Sequence, residues 1–134
     1  MTIYRISFYD VYDDEALEKG YREDLVLKKG NHYFRLYFYD STRFKQDMDS
    51  DIDQYKYYVL PVNTIILPKI TKEEIAKFCT ENFKDNYYLS HFNEYDYEND
   101  NLRIAMNEQE EDFLKTLGLP NVISKKELTL YLDI

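Results

Sequence analysis

The sequence predicts an α+β fold: a single domain over residues 1–134, with a mainly antiparallel sheet of about five or six strands and two amphipathic helices packed on one face. Residues 3–11, 33–40 and 128–134 alternate with the period of half-buried strands. Two other segments place apolar residues at helical spacing behind a capping residue. With 134 residues and 44% hydrophobic content the chain can bury one core, and no repeat or linker divides it.

The chain begins with strand patterns. Residues 3–11 form the first predicted strand, and residues 13–20 are too short and too charged for more than a loop or one helical turn, which Gly20 ends. Residues 25–27 and 33–40 then flank a turn and predict an antiparallel hairpin. In the second hairpin strand one face carries Phe34, Leu36 and Phe38, and the other carries Tyr33, Arg35, Tyr37 and Tyr39.

The middle of the chain is less regular. Residues 41–54 are polar and poorly periodic, which predicts a loop with a possible helical turn near residues 43–48. Residues 55–60 have strand-like composition up to Pro61. The short apolar run at residues 64–67 lies between two prolines, which suits an edge strand.

Two capped helices follow. Thr71 and Glu74 form a capping box, so a helix is predicted over residues 72–84 with Ile75, Phe78, Cys79 and Phe83 on its inward stripe. Cys79 on that stripe is interpreted as a core residue. Asn107 caps the second predicted helix, whose inward residues are Phe113, Leu114 and Leu117.

The remaining elements are strands and loops. Residues 87–92 and 102–106 have strand patterns, and the acidic residues 93–101 form a predicted loop between them. The chain ends on a strand at residues 127–134. The core is expected to contain Phe34, Leu36, Phe38, Ile75, Phe78, Phe113, Leu114, Leu128 and Leu130.

Acidity is concentrated in one part of the chain. Residues 85–112 contain nine acidic residues and one base, a net charge of −8 out of −9 for the whole chain. Four of these acids lie at the start of the second helix, where the helix dipole favours carboxylates. The others include Glu94, Asp96, Glu98 and Asp100, which alternate with Tyr95 and Tyr97. These six residues form either a solvated loop or a surface that docks on a basic protein, with the tyrosines supplying packed contacts.

Motifs for catalysis or metal binding are incomplete. Asp47, Asp49, Asp51 and Asp53 resemble the opening of a calcium loop, but Ile52 and Tyr58 occupy the positions that require glycine and a bidentate glutamate. The two histidines and three glycines are isolated, and no serine lies in a nucleophile-elbow pattern. The sequence therefore predicts no catalytic residue, no metal site and no cofactor, and it favours a function other than catalysis.

In size, acidity and aromatic content the chain resembles bacterial immunity proteins that neutralise nuclease toxins and phage proteins that imitate the charge of DNA. This resemblance implies an inhibitor whose partner is a basic protein, either a toxin or a nucleic-acid-processing enzyme. The negative charge argues against direct nucleic-acid binding. The absence of a long apolar run or a signal pattern, with a single cysteine, favours a cytoplasmic protein that does not bind membranes.

Three alternatives remain open. The chain could be an enzyme or metal-binding domain that uses the clustered carboxylates Asp47, Asp49, Asp51 and Asp53. It could also be an accessory subunit of a bacterial or phage complex. The partner could instead bind the face formed by Tyr33, Tyr37 and Tyr39, and the oligomeric state is left open.

Overall fold

The structure is a computed structural model that describes residues 1–6, 12–94, 103–105, 107–118, 122–124 and 128–134. Within these residues it contains an open five-stranded sheet, a two-stranded sheet and five helices. The α+β class and the mostly antiparallel main sheet are confirmed. The expected pair of helices on one face is wrong, because the described helices are more numerous and pack on both faces.

The main sheet has the strand order β4-β3-β2-β1-β7. Neighbours are antiparallel except β3 and β4, which run parallel. Its strands are β1 (Thr2–Ile6), β2 (Tyr21–Lys29), β3 (His32–Tyr39), β4 (Thr64–Ile66) and β7 (Leu128–Asp133). The second sheet pairs β5 (Arg103–Ala105) with β6 (Val122–Ser124) in parallel. The predicted hairpin is therefore β2–β3, and residues 64–67 contain the predicted edge strand.

The helices are α1 (Asp13–Lys19), α2 (Ser41–Tyr55), α3 (Lys72–Asn82), α4 (Tyr88–His91) and α5 (Glu108–Thr116). Both predicted caps are confirmed: the side chain of Thr71 accepts from the Glu74 N–H, and that of Asn107 accepts from the Glu110 N–H. Gly20 ends α1 in the left-handed conformation, as expected. Across the described residues, no helix combines the length and apolarity that crossing a bilayer requires.

Helix α2 replaces the loop expected over residues 41–54. Asp40 caps it by accepting the Arg43 N–H at 2.7 Å, and Lys56 ends it with a φ of 70°. The half-buried stripe of this helix contains Arg43, Phe44, Asp47, Met48 and Asp51. Because three of these five residues are charged, the helical period is hidden from a search for apolar spacing.

Two expected strands are also absent at their predicted positions. Residues 87–92 contain the short helix α4, and residues 57–61 connect α2 to β4 without regular structure. The ring of Tyr87, which precedes α4, stacks on that of His91 with centroids 3.6 Å apart, and the Tyr88 ring packs inward with its centroid 5.5 Å from that of Phe34. A ring pair four residues apart is a helical contact, so composition typical of a strand is overridden here by packing.

The core lies on the face of β3 that carries Phe34, Leu36 and Phe38, all of which are fully buried as predicted. Helix α3 supplies Ile75 and Cys79 to this face. The opposite face of β3 is met by α2, since the ring of Phe44 lies 6.4 Å from that of Tyr39. Successive strand residues point to opposite faces, so α2 and α3 pack on different sides of the sheet.

Two residues expected in the core are exposed. Phe113 is 61% exposed. Its helix, α5, contacts the short strands β5 and β6 and has no buried residue. Leu130 is 59% exposed, whereas Tyr131 and Leu132 pack against the core. The register between β1 and β7 shifts here, so that Tyr131 is an extra residue and the alternation reverses. Phe78, Leu114 and Leu128 are half-buried.

A charged network ties β2 to α1 and β7. The guanidinium of Arg22 is buried and donates to Asp24 at 2.9 Å and to Asp13 at 2.5 Å. The hydroxyl of Tyr131 donates to the same Asp13 oxygen at 2.8 Å, and its ring lies 4.4 Å from the Arg22 guanidinium. Burial raises the pKa of Asp24 even though Arg22 opposes the shift. The network joins α1 and β7 to β2. Each buried charge has an opposite charge beside it, so removing one partner would leave a buried charge unpaired.

Candidate protein-interaction surface

The six residues predicted to bind a partner are only partly within the described part of the chain. Glu94 is described, whereas Tyr95, Asp96, Tyr97, Glu98 and Asp100 lie outside the described residues. The Glu94 side chain is 42% exposed, and its carboxylate contacts Nδ1 of His32, the first residue of β3. The acidic segment therefore begins next to the turn of the β2–β3 hairpin.

The residue before Glu94 is held by a second contact. The side chain of Asn63 donates to the Asn93 carbonyl oxygen at 2.8 Å and accepts from the Asn93 N–H at 2.9 Å. The same amide group donates to the Arg35 carbonyl oxygen at 3.0 Å, and the Asn63 carbonyl accepts from the Tyr37 N–H. Asn63 thus joins Asn93 to the edge of β3 just before β4 begins.

The start of the acidic segment is therefore fixed at two consecutive residues. Asn63 adopts a φ of 57°, a conformation in which asparagine is favoured over most other residues. Its side chain occupies the position at the edge of β3 that a neighbouring strand would otherwise fill. Because Asn63 and Asn93 are 30 residues apart, no local pattern in the sequence indicated this contact.

A run of exposed apolar residues, which the sequence did not indicate as a site, leads to Asn63. We define the apolar strip as five residues that are exposed by 54% to 72%: Tyr55, Tyr57, Val59, Leu60 and Val62. Strand-like composition predicted a strand at residues 55–60. In the structure they leave α2 and reach β4 as a connection, so their outward side chains have no neighbouring strand among the described residues.

The apolar strip runs back along α2. The ring of Tyr58 packs edge-on against Phe44, with centroids 5.8 Å apart. Phe44 is in the first turn of the helix, about 16 Å from its end at 1.5 Å per residue, so the chain must reverse direction after α2 to bring Tyr58 there. Burial raises the pKa of the Tyr58 hydroxyl, and the carboxylates of Asp47 and Asp51 raise it further. Tyr58, which lies between Tyr57 and Val59 of the strip, is therefore turned towards α2.

The four clustered aspartates do not lie in the expected loop, and they do not share a face. On α2 the pair Asp47 and Asp51 is half-buried, whereas Asp49 and Asp53 are exposed on the other side of the helix. Asp47 pairs with the Nε of Arg43 at 2.9 Å. In the part of the chain that the structure describes, no group of three or more His, Cys, Asp and Glu side chains is arranged to hold a metal ion.

The alternative interface on β3 is largely covered. Tyr33 and Tyr39 are buried and Tyr37 is half-buried. The Tyr39 hydroxyl donates to a Glu23 carboxylate oxygen at 2.7 Å, and both burial and that contact raise its pKa. Because α2 packs on Tyr39 and Tyr33 is also buried, the tyrosine face is a poor candidate.

A cavity of about 230 Å³ lies elsewhere, between the beginnings of α1 and α3. It is lined by Asp13, Asp14, Leu17, Thr71, Lys72 and Glu73. The Asp13 carboxylate is already bound by Arg22 and Tyr131, and Lys72 lies 3.7 Å from its second oxygen. These contacts already engage Asp13 and Lys72, so neither is available to a ligand without breaking a contact of the fold.

Comparisons of the chain with protein-family models, with curated proteins and with solved structures found no match.

Proposed function

We propose that this protein is a small acidic inhibitor that binds a basic protein, in the manner of immunity proteins that neutralise nuclease toxins or of proteins that imitate the charge of nucleic acid. The observation that carries the proposal is the anchoring of Asn93 and Glu94 by Asn63 and His32. It fixes the origin of the segment in which carboxylates alternate with tyrosines.

Anchoring matters because binding costs less when the residues from which a binding segment extends, here Asn93 and Glu94, are already held in place. Glu94, Asp96, Glu98 and Asp100 would steer a basic partner towards the surface, since opposite charges raise the rate of encounter. Tyr95 and Tyr97 would then supply packed contacts that slow dissociation. The expected division is that the carboxylates control association and the tyrosines control dissociation.

Two alternatives have less support. An enzyme or metal-binding domain built on Asp47, Asp49, Asp51 and Asp53 would need these carboxylates on one side, and α2 places them on two sides. Direct binding to nucleic acid would require cations to neutralise phosphates, whereas the chain has a formal net charge of −9. An accessory subunit would bind a partner without inhibiting it, so an activity assay on the partner distinguishes that role from the proposed one.

The test begins with affinity capture of the partner from the cells that produce this protein. Replacing Glu94, Asp96, Glu98 and Asp100 by their amides should slow association with the captured partner and flatten its dependence on salt concentration. The matched control replaces four exposed carboxylates on other helices by amides: Glu18, Glu73, Glu81 and Asp112. Both variants lose four negative charges, so an effect of overall charge would appear in both.

Surface-immobilised kinetics at two salt concentrations provide the measurement, together with an assay of the partner's activity. Equal association rates for the two variants would contradict docking through the acidic segment. Binding without loss of partner activity would contradict inhibition and favour an accessory role. If a DNA duplex fails to displace this protein from its partner, the result would contradict imitation of nucleic-acid charge.

A further inference from the structure

A cluster of charged side chains lies where α1 and the edge strand β7 meet β2. Arg22 of β2 is at its centre, and the Arg22 side chain is only 1% exposed. The guanidinium donates to Asp24 on the same strand at 2.9 Å and to Asp13 of α1 at 2.5 Å. The ring of Tyr131 on β7 lies over the guanidinium at 4.4 Å. Arg22 is therefore a buried cation that contacts both α1 and β7.

Among the described residues, three cations surround two carboxylates in this cluster. Besides Arg22, the side chain of Arg5 on β1 lies 3.7 Å from the second oxygen of Asp24. The ammonium of Lys72 at the start of α3 lies 3.7 Å from the second oxygen of Asp13. The other titratable side chains that border the cluster are Tyr131, which donates to Asp13, and the residues of the adjacent cavity, Asp14 and Glu73.

Acid removes the negative charges of the cluster and leaves the positive ones. Guanidinium and ammonium groups keep their charge in acid, whereas carboxylates become neutral. Burial raises the pKa of Asp24 even though Arg22 opposes the shift, so Asp24 gains a proton first as pH falls. Burial also acts on Asp13, but the hydrogen bond from Tyr131 and the charge of Arg22 outweigh it and lower the pKa of Asp13. Asp13 therefore gains a proton at lower pH, and Arg22 then has neither counter-charge.

Little apolar packing holds α1 and β7 to the domain. Helix α1 buries only Ala16, and β7 contributes only partly buried side chains. By contrast, β3 buries Phe34, Leu36 and Phe38 in the core without the help of any charge. A buried charge without a partner is costly, and the cost is relieved when water reaches the charge. Separation of α1 and β7 would hydrate Arg22 with a small loss of apolar contact.

We infer that Arg22, Asp24 and Asp13 form an acid-sensitive latch: it holds α1 and β7 on the sheet, and loss of its two negative charges opens both elements while the rest of the sheet stays folded. Opening leaves β1 at the edge of the main sheet, and the backbone groups that had paired with β7 become free to pair with another strand. This inference does not depend on the proposed function, because the latch lies outside the acidic segment and its anchor at Asn63.

Hydrogen exchange measured by mass spectrometry on the full-length protein tests the latch. Exchange is followed in α1, in β7 and, as the internal reference, in β3 between pH 7 and pH 2.5, and each rate is corrected for the intrinsic effect of pH. Protection of α1 and β7 should fall by about tenfold or more, because one unit of pKa shift changes an opening equilibrium tenfold. Protection of β3 should be kept. An equal loss in all three elements, or no loss in α1 and β7, would overturn the inference.

Asp13→Asn and Asp24→Asn in one protein imitate the protonated latch at neutral pH. This double variant should show low protection of α1 and β7 already at pH 7 and should change little on acidification, while β3 stays protected. Asp14→Asn is the matched control, since Asp14 is the exposed neighbour of Asp13. It should behave as the original protein does. A double variant whose α1 and β7 remain protected at pH 7 would contradict the latch.

Arg22→Met should reverse the sign of the pH effect. Methionine removes the cation, so at pH 7 the buried Asp24 is the charge left with less compensation, and acid then neutralises it. Protection of α1 and β7 should therefore rise as pH falls. Tyr131→Phe is a milder second variant: without the hydroxyl, Asp13 gains its proton more easily, so β7 should open at a higher pH than in the original protein. Acid-induced opening that is the same in the original protein and in these variants would overturn the inference.

Discussion

The side chain of Asn63 accepts a hydrogen bond from the backbone N–H of Asn93 and donates one to the backbone carbonyl oxygen of Asn93, as the backbone of a neighbouring strand would. This places two parts of the chain side by side: the end of the connection from α2 and the start of the acidic segment. The contact also reaches Arg35 on β3, so the junction is attached to the sheet. A partner that binds the end of this connection therefore also comes close to the start of the acidic segment.

Substitution of Asn63 should release this junction. Asn63→Gly removes the side-chain hydrogen bonds but tolerates the φ of 57°, and we expect it to lower the free energy of unfolding by about 1–2 kcal/mol. Asn63→Ala should cost about 1 kcal/mol more, because a Cβ is disfavoured in the left-handed conformation. Urea unfolding measures both. Faster hydrogen exchange at the Asn93 amide should accompany each change, and unchanged exchange there would contradict the anchoring role.

The Asp13 carboxylate should make stability depend on pH. Burial alone would raise the pKa of Asp13, but the hydrogen bond from Tyr131 and the charges of Arg22 and Lys72 outweigh it and lower the pKa below its ordinary value of 3.8. A lowered folded-state pKa stabilises the protein above the unfolded value, and this contribution is lost as pH falls through the folded value.

The comparison is between the original protein and Asp13→Asn, which lacks the titrating group. The difference in their free energies of unfolding should be constant above about pH 5 and should shrink as pH falls below about 4. Asp14→Asn at the neighbouring exposed position is the control. Urea unfolding between pH 2.5 and pH 7 provides the measurement. A difference that stays constant over the whole pH range would show that the contacts of Asp13 do not stabilise its ionised form.

Local signals made several elements predictable. Thr71 and Asn107 were identified as caps because a capping side chain bonds a backbone N–H only two or three residues away. The burial of Phe34, Leu36 and Phe38 followed from strict alternation on a strand with neighbours on both sides. In each of these cases the residues that determine the structure are near one another in sequence.

The elements that were wrong depend on distant or polar partners. The helix α2 was missed because its inward stripe includes Arg43 and Asp47, which pair with each other instead of forming an apolar pattern. Residues 55–60 were assigned to a strand because composition does not reveal whether a neighbouring strand exists. The acidic segment was identified from its charge, but its attachment to Asn63 depends on a contact across 30 residues that no local pattern encodes.

The thiol of Cys79 should be unreactive in the folded protein. It is fully buried on α3, and burial raises its pKa to about 12, so very little thiolate is present at pH 8. We expect a coloured disulfide reagent to modify Cys79 at the rate of unfolding and not at the rate of a free thiol. Reaction in concentrated denaturant gives the reference rate. Rapid, stoichiometric modification of the folded protein would contradict the core position of Cys79.

The shift in register between β1 and β7 gives the last prediction, which compares two leucines on one strand. Leu130 pairs with Tyr4 and Leu132 with Ile3, so Tyr131 is the extra residue between them. Leu130 is consequently 59% exposed, while Leu132 packs against the core. Leu132→Ala should lower the free energy of unfolding by about 2 kcal/mol, because it removes packed methyl groups from a partly buried site. Leu130→Ala should change it by less than about 0.5 kcal/mol, as expected for an exposed position. Urea unfolding of the two variants under the same conditions measures the difference, and equal losses would show that β7 keeps a regular alternation with both leucines in the core.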